Sequence, residues 1–120
     1  MADVRFVQGS TIMVDHTPGA DVPLGAIVVV GDETRIAHRA IPANTAGALA
    51  APSGTAVYRV PKATGVGTAI ADGKRVWWEA GNSVGTETQG ALKPLGISVG
   101  AAGDNDDSFL VRHCYFSKDA

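Results

Sequence analysis

The sequence is poor in charge, in cysteine and in long apolar runs, and each shortage excludes a class of protein. Charged residues make up 18% of the 120 residues and the net charge is −2, so neither nucleic acid nor an anionic membrane is expected as a partner. Cys114 is the single cysteine and cannot form an internal disulfide, which argues against a disulfide-stapled secreted scaffold. The longest apolar run, 26–30, is far short of the roughly 20 residues that span a bilayer.

The amino terminus also lacks a targeting signal. Its first residues, Met-Ala-Asp-Val-Arg, have no apolar core of the kind that a signal peptide requires. We therefore expect a soluble protein made in a reducing cytoplasm.

Glycine, alanine, valine and threonine are abundant, with 15 glycines in the chain. This composition favours short strands and tight turns over helices. No amphipathic helical period exceeds two turns, and turn signals recur at intervals of roughly 8–12 residues, which indicates about nine strands. The sequence predicts one all-β domain over 1–120, a small compact β barrel or sandwich with little or no helix.

Individual strands follow from local patterns. The β-branched run 26–30 predicts a central strand covered on both faces. Segment 46–51, rich in small residues, is too short between prolines for a helix and predicts a strand. Segments 74–79 and 84–88 predict a hairpin because Gly81-Asn82 lies between them.

The first fourteen residues predict an extended arm. Apolar Val4, Phe6, Ile12 and Val14 alternate with polar residues, and no hairpin partner for them is evident in the sequence. An unpaired strand invites pairing with another chain, so residues 1–14 are a candidate arm, with Val4, Phe6 and Ile12 as candidate partner-binding residues. The alternative is that this strand belongs to the domain's own sheet. Residues 117–120 are predicted to be a tail.

One segment superficially resembles a phosphate-binding loop, from Thr68 to Arg75. Such a loop requires glycine at the first position, serine or threonine at the last, and a helix afterwards. Here threonine and arginine occupy those positions, and a predicted strand follows. We expect no nucleotide binding.

Other chemistry is equally poorly supported. His113 and Cys114 are adjacent, so on a strand they point to opposite faces and cannot share an ion. The acidic run 104–108 lacks the glycine and glutamate that a helix-loop-helix calcium site needs at its sixth and twelfth positions, and predicts a solvated turn. No serine has the context of a catalytic elbow. The sequence predicts a protein that is not an enzyme and holds no metal or cofactor.

The adjacent tryptophans are the strongest binding signal. Alternation along 75–79 puts Trp77 on the same face as Arg75, and Trp78 on the opposite face. One ring is then expected in the core and the other at a partner surface, for which Arg75 and Trp77 are the candidates, since tryptophan and arginine are enriched at binding hot spots. The alternative is that both faces are internal.

A resemblance to a known family extends along most of the chain. Its central pieces are Val-Pro-Lys-Ala (60–63), Ala-Ile-Ala-Asp-Gly-Lys (69–74) and Val-Trp-Trp-Glu-Ala (76–80); flanking pieces lie at 6–18, 25–31, 47–50, 94–103 and 111–112. In this order they resemble small phage capsid cement proteins, a family long catalogued as a domain of unknown function and often mislabelled as recombinases.

The resemblance implies a β-clip-like structural protein on the virion surface. It would bind the outside of the expanded capsid and stabilise contacts between major capsid subunits, as a homotrimer similar in role to lambda-type head decoration proteins. The alternative is a carbohydrate-binding or host-adhesion module, because an exposed tryptophan on a β surface also stacks on sugar rings.

Overall fold

The computed structural model describes residues 4–116, and these form ten antiparallel strands in two sheets without any helix. No segment of the described chain is therefore a helix long and apolar enough to cross a membrane. The predicted tail, 117–120, lies outside the described residues, as do residues 1–3 of the predicted arm. The strands are β1 (Arg5–Gly9), β2 (Ile12–His16), β3 (Ile27–Val30), β4 (Glu33–Ile36), β5 (Gly47–Ala51), β6 (Ala56–Pro61), β7 (Arg75–Glu79), β8 (Val84–Thr86), β9 (Lys93–Val99) and β10 (Ser108–His113).

The larger sheet has the order β1-β6-β10-β9-β7-β8, and the smaller sheet has the order β2-β5-β4-β3. The predicted hairpin is present, because β7 pairs with β8 from Trp77↔Thr86 to Glu79↔Val84. The predicted small-residue strand is β5, which pairs with β2 along its whole length. The prediction of an all-β domain with little helix is confirmed.

The core lies between the two sheets. Its main cluster joins Tyr58, Val60, Leu95 and Val111 of the larger sheet with Ile36 of the smaller one, all at most 1% exposed. Small residues such as Ala50 and Ala56 complete the cluster and allow the sheets to approach closely. This packing of two face-to-face sheets is that of a sandwich.

Polar groups also cross the gap between the sheets. The buried hydroxyl of Thr34 on β4 donates a hydrogen bond to the carbonyl oxygen of Pro94 on β9, at 3.0 Å. The Nε2 atom of His113 on β10 lies 3.1 Å from the same hydroxyl and 3.0 Å from the Thr34 carbonyl oxygen. These bonds fix the register of one sheet against the other, because a shift would leave buried polar atoms unpaired.

Three expectations need correction. The barrel alternative is wrong, since the two sheets do not close into one barrel. Strand β3 is not central but an edge strand, and Val29 within it is 42% exposed. The segment 4–14 is not unpaired: β1 pairs with β6 from Arg5↔Arg59 to Gly9↔Ala56, and β2 pairs with β5. A local sequence pattern shows only hairpin partners, which are close along the chain, and the partners of β1 and β2 lie much further away.

Candidate functional site

The segment that superficially resembles a phosphate loop is built into the fold as an ordinary connection. Ile70 forms an isolated bridge with Ala102, and the segment runs directly into β7 at Arg75 instead of a helix. A phosphate-binding loop places backbone donors at a helix amino terminus, and this geometry does not occur here. Within residues 4–116, no group of three or more His, Cys, Asp and Glu side chains could hold a metal ion.

The acidic run around Asp104 is used to shape a loop. The Asp104 carboxylate accepts a hydrogen bond from the backbone amide of Ala69 at 2.9 Å, and Asp106 accepts one from the amide of Gly103 at 2.8 Å. Carboxylates that accept backbone donors in this way hold turns in place. The arrangement matches the turn that the sequence predicts.

A line of ring side chains runs from the buried core to the partly exposed amino-terminal strand. His113 packs edge-on against Tyr58 at 5.7 Å between ring centroids, and the Tyr58 hydroxyl lies 2.6 Å from Nε2 of His38. Phe6 on β1 then contacts both Tyr58 and His38, at 5.6 and 5.3 Å between centroids. This cluster explains part of the attachment of β1 to the domain, since aromatic pairs in these geometries add to area burial.

Burial shifts the pKa values of the titratable groups in this line so that their uncharged forms are favoured. Burial raises the pKa of Tyr58 to about 12 and lowers the pKa of His38. Burial also lowers the pKa of His113 to about 4, against the opposing influence of its hydrogen bond to Thr34. Burial therefore favours the uncharged form of each of these groups, and the line contributes to the protein mainly through packing.

The predicted partner-binding residues are not equally accessible. Phe6 is 46% exposed and Ile12 is 58% exposed, and Arg75 is also exposed. Val4 is only 6% exposed and Trp77 only 5% exposed, so both of these side chains pack within the chain.

The expectation that one tryptophan is exposed is wrong, because Trp78 is also buried, at 7% exposure. Phe116 packs edge-on over Trp77 at 5.5 Å between centroids, and the Arg75 guanidinium lies 5.9 Å from the Trp77 ring and 5.7 Å from the Phe116 ring. The indole Nε1 of Trp77 is buried without a hydrogen-bond partner in the described part of the chain. The adhesion alternative depended on an exposed tryptophan and has lost that support.

Exposed apolar side chains are instead concentrated near the amino terminus. Among residues 4–116, five of the nine exposed large hydrophobic residues lie between positions 6 and 24: Phe6, Val7, Ile12, Met13 and Leu24. We call these five the amino-terminal apolar surface, a name that refers to their position along the chain. Phe6 and Leu24 also line a cavity of about 360 Å³ together with His38 and Tyr58. The sequence pattern identified Phe6 and Ile12. It missed Val7 and Met13, which lie on the edge strands β1 and β2, and Leu24, which lies in a turn before β3.

The backbone of this surface is also available. Strands β1 and β2 are terminal strands of the larger and the smaller sheet, respectively. An edge strand presents main-chain donors and acceptors to a further chain. Apolar side chains on strand edges are typical of interaction surfaces rather than of active sites.

Comparison with known families identifies the family of this chain. The family model described as phage cement protein matches residues 7–113. The chain belongs to the phage cement protein family. The match begins within β1 and ends at His113, the last residue of β10. Comparison with curated proteins and with solved structures gives no match.

Family membership supports a structural, capsid-stabilising role for this cement protein and implies that it is a component of the virion capsid. It also agrees with a role that is not enzymatic. The resemblance seen in the sequence is confirmed.

Proposed function

We propose that this cement protein binds the outer surface of the expanded capsid and stabilises the contacts between major capsid subunits. It is made in the host cytoplasm, acts without catalysis or cofactor, and does not bind nucleic acid or membranes. The observation that carries the proposal is the family match over residues 7–113, which includes nearly every strand of the domain.

The amino-terminal apolar surface supports attachment to another protein. Its edge strands offer main-chain pairing, and its exposed side chains offer apolar contact. Phe6 and Ile12 are the residues proposed for direct contact, and Arg75 is a third. Val4 and Trp77 contribute by packing the strands on which these residues lie.

The mechanism is linkage between binding and shell stability. A ligand that binds the assembled shell, but not dissociated subunits, stabilises the shell by mass action. A homotrimer, which the resemblance to lambda-type head decoration proteins implies, multiplies modest contacts through effective concentration. Rigid β structure suits this role because little conformational entropy is lost on docking.

Co-sedimentation with isolated expanded capsids tests the proposal. Wild-type protein is expected to pellet with the shells, to saturate at a fixed ratio to capsid subunits, and to raise the temperature at which the shells disassemble. The variant Phe6→Ser is expected to bind more weakly, whereas Val99→Ser, at a similarly exposed residue at the end of β9, is the matched control. Wild-type protein that stays in the supernatant at every concentration would refute the proposed function.

A further inference from the structure

The charges of this chain are distributed unevenly between the two sheets. The whole sequence is slightly acidic, with 12 acidic residues against 10 lysines and arginines. The strands of the larger sheet nevertheless contain five lysines and arginines and one acidic residue. The strands of the smaller sheet contain one arginine and two acidic residues. Positive charge is therefore concentrated on the larger sheet.

The two central arginines of the larger sheet point away from the core. Tyr58 on β6 and Val111 on β10 belong to the main core cluster. Successive side chains of a strand point to opposite faces, so Arg59 and Arg112 lie on the outer face of the sheet. Both are exposed.

Strand register adds two more arginines to this outer face, because residues that are directly opposite in neighbouring strands share a face. Arg5 on β1 is opposite Arg59. Ile97 on β9 is opposite Arg112 on one side and Arg75 of β7 on the other. We call these four side chains the arginine face: Arg5, Arg59, Arg75 and Arg112.

The other charged groups in and beside the sheet do not neutralise this face. Lys93, the fifth cation of the strands, pairs with Asp32 at 3.3 Å. Glu79 is the last residue of β7, four positions beyond the arginine that begins that strand. Asp106 and Asp107 line a cavity next to the arginine of β6, but the Asp106 carboxylate accepts a hydrogen bond from a backbone amide of its own loop.

Three of the four guanidinium groups have neutral partners in the described part of the chain. Within residues 4–116, no ion pair joins Arg5, Arg59 or Arg112 to a carboxylate. Nη1 of Arg59 donates to the Ser108 hydroxyl, and Nη1 of Arg112 donates to the carbonyl oxygen of Gly54, both at 3.4 Å. A guanidinium has five N–H donors, so these contacts orient the two groups and leave donors for a partner.

The pair of Arg5 and Arg59 is unfavourable for the isolated protein. The two residues are directly opposite in β1 and β6, and like charges in this position destabilise a sheet. An anion that contacts both guanidinium groups removes this repulsion and gains charge-assisted hydrogen bonds. The arrangement therefore favours binding of a negatively charged partner.

We propose that the arginine face docks on a carboxylate-rich surface of the capsid. This proposal rests on the proposed function and deepens it by naming the chemistry of the partner surface. Guanidinium groups match carboxylates in planar, bidentate hydrogen bonding. Strand β1 carries both Arg5 and Phe6, so the arginine face adjoins one part of the amino-terminal apolar surface.

Two other partners fit the arginine face less well. A second copy docked on it about a twofold axis would place arginine against arginine, which is repulsive. For nucleic acid, the net charge of −2 is unfavourable. The side chains opposite Arg112 and Arg59 within the sheet are Val57, Ile97 and Leu110, which offer no ring on which a base could stack.

Sedimentation with isolated expanded capsids tests the arginine face through Arg59→Gln, Arg112→Gln and the double variant. We expect each single change to weaken binding by about tenfold at low salt. The melting temperature of free Arg59→Gln should not fall, because the change relieves the repulsion from Arg5. Arg39→Gln, at an exposed arginine in the connection after β4, is the matched control and is expected to bind like the wild type.

The salt dependence of binding provides a second readout. Raising the salt concentration from about 0.03 to about 0.3 M shortens the range of electrostatic interaction. Wild-type protein and Arg39→Gln should therefore lose affinity over this range, and the double variant should lose less.

Shells whose surface carboxylates have been amidated test the partner side, after electron microscopy has shown that they are intact. Wild-type binding should fall to the level of the double variant, which should lose nothing further, because groups in contact are energetically coupled. An equal loss for both proteins would mean that these carboxylates do not face the arginines, and would refute the proposal.

The outcomes also separate this proposal from the proposed function. If wild-type protein binds shells and the double variant binds equally well, the arginine face is refuted while the proposed function stands. If wild-type protein does not bind, both are refuted. The proposal is overturned if the double variant keeps its affinity for capsids but breaks up a homo-oligomer of the free protein, or loses binding to single-stranded DNA that the wild type shows.

Discussion

Acid is expected to destabilise this protein through His113. The side chain is 1% exposed, and its Nε2 atom must carry the proton because its partner at 3.0 Å, the carbonyl oxygen of Thr34, can only accept. Nδ1 is buried and has no hydrogen-bond partner among the described residues. Protonation would therefore place a charge and an unpaired donor in the core, which explains why burial lowers the pKa to about 4.

The size of the effect follows from linkage. Between pH 6.5 and 4 the unfolded state binds a proton at this position and the folded state does not, so the free energy of unfolding falls as the pH is lowered. The fall of the pKa from its ordinary value of 6.5 to about 4 corresponds to about 3 kcal/mol. The stabilisation is complete above pH 6.5 and is lost by pH 4. This is a large part of the ~5–15 kcal/mol that stabilises a typical domain.

Chemical denaturation at fixed protein concentration, from pH 7.5 to 3.5, measures this dependence for wild type and for His113→Gln. Glutamine retains a donor for Thr34 but does not titrate. We expect the wild-type free energy of unfolding to fall by about 3 kcal/mol more than that of the variant across this range, while carboxylates contribute alike to both. Equal pH dependence in the two proteins, or an imidazole that titrates near 6.5 in the folded protein by NMR, would refute the reasoning.

Three further outcomes are expected. Deletion of residues 2–9 removes edge strand β1 and the buried valine before it, so we expect a loss of more than ~3 kcal/mol in urea denaturation; unchanged stability would show that β1 is dispensable. Tyr58→Phe removes the hydroxyl that lies 2.6 Å from His38 and should cost about 1 kcal/mol in the same assay, an expectation that a more stable variant would contradict. Gly85→Ala places a Cβ atom 2.5 Å from the Phe109 ring and should lower the melting temperature through a cost of ~1–3 kcal/mol, whereas an equal melting temperature would mean that the ring moves aside freely.

Local patterns predicted the elements whose partners are close in sequence. The β7–β8 hairpin follows from a glycine-asparagine turn between two apolar segments. The strand at 47–51 follows from prolines that leave no length for a helix. In each case the residues that determine the structure lie within about a dozen positions of the strand.

Sheet position could not be predicted in this way. The run 26–30 has the composition of a central strand, yet β3 lies at an edge because Ile27–Val30 pairs with β4 alone. Its burial comes from one face and from side chains such as Ile36, across the hairpin. Strand β1 looks unpaired because its partner, β6, begins at Ala56. Strand order depends on long-range pairing. The alternation of apolar and polar residues within one strand does not specify which strands will be its neighbours.

The burial of Lys62 could not be predicted from the local sequence either. In the sequence it is a lysine after a proline, and lysine is rarely buried unless it is paired. Its acceptors lie one, six and 42 residues away, and the most distant of them becomes a neighbour only when β10 pairs with β6. The segment 63–71 also accepts its structure from distant residues: Asp104, Ala102 and Glu87 form hydrogen bonds with it, and no local pattern in the sequence predicts these bonds.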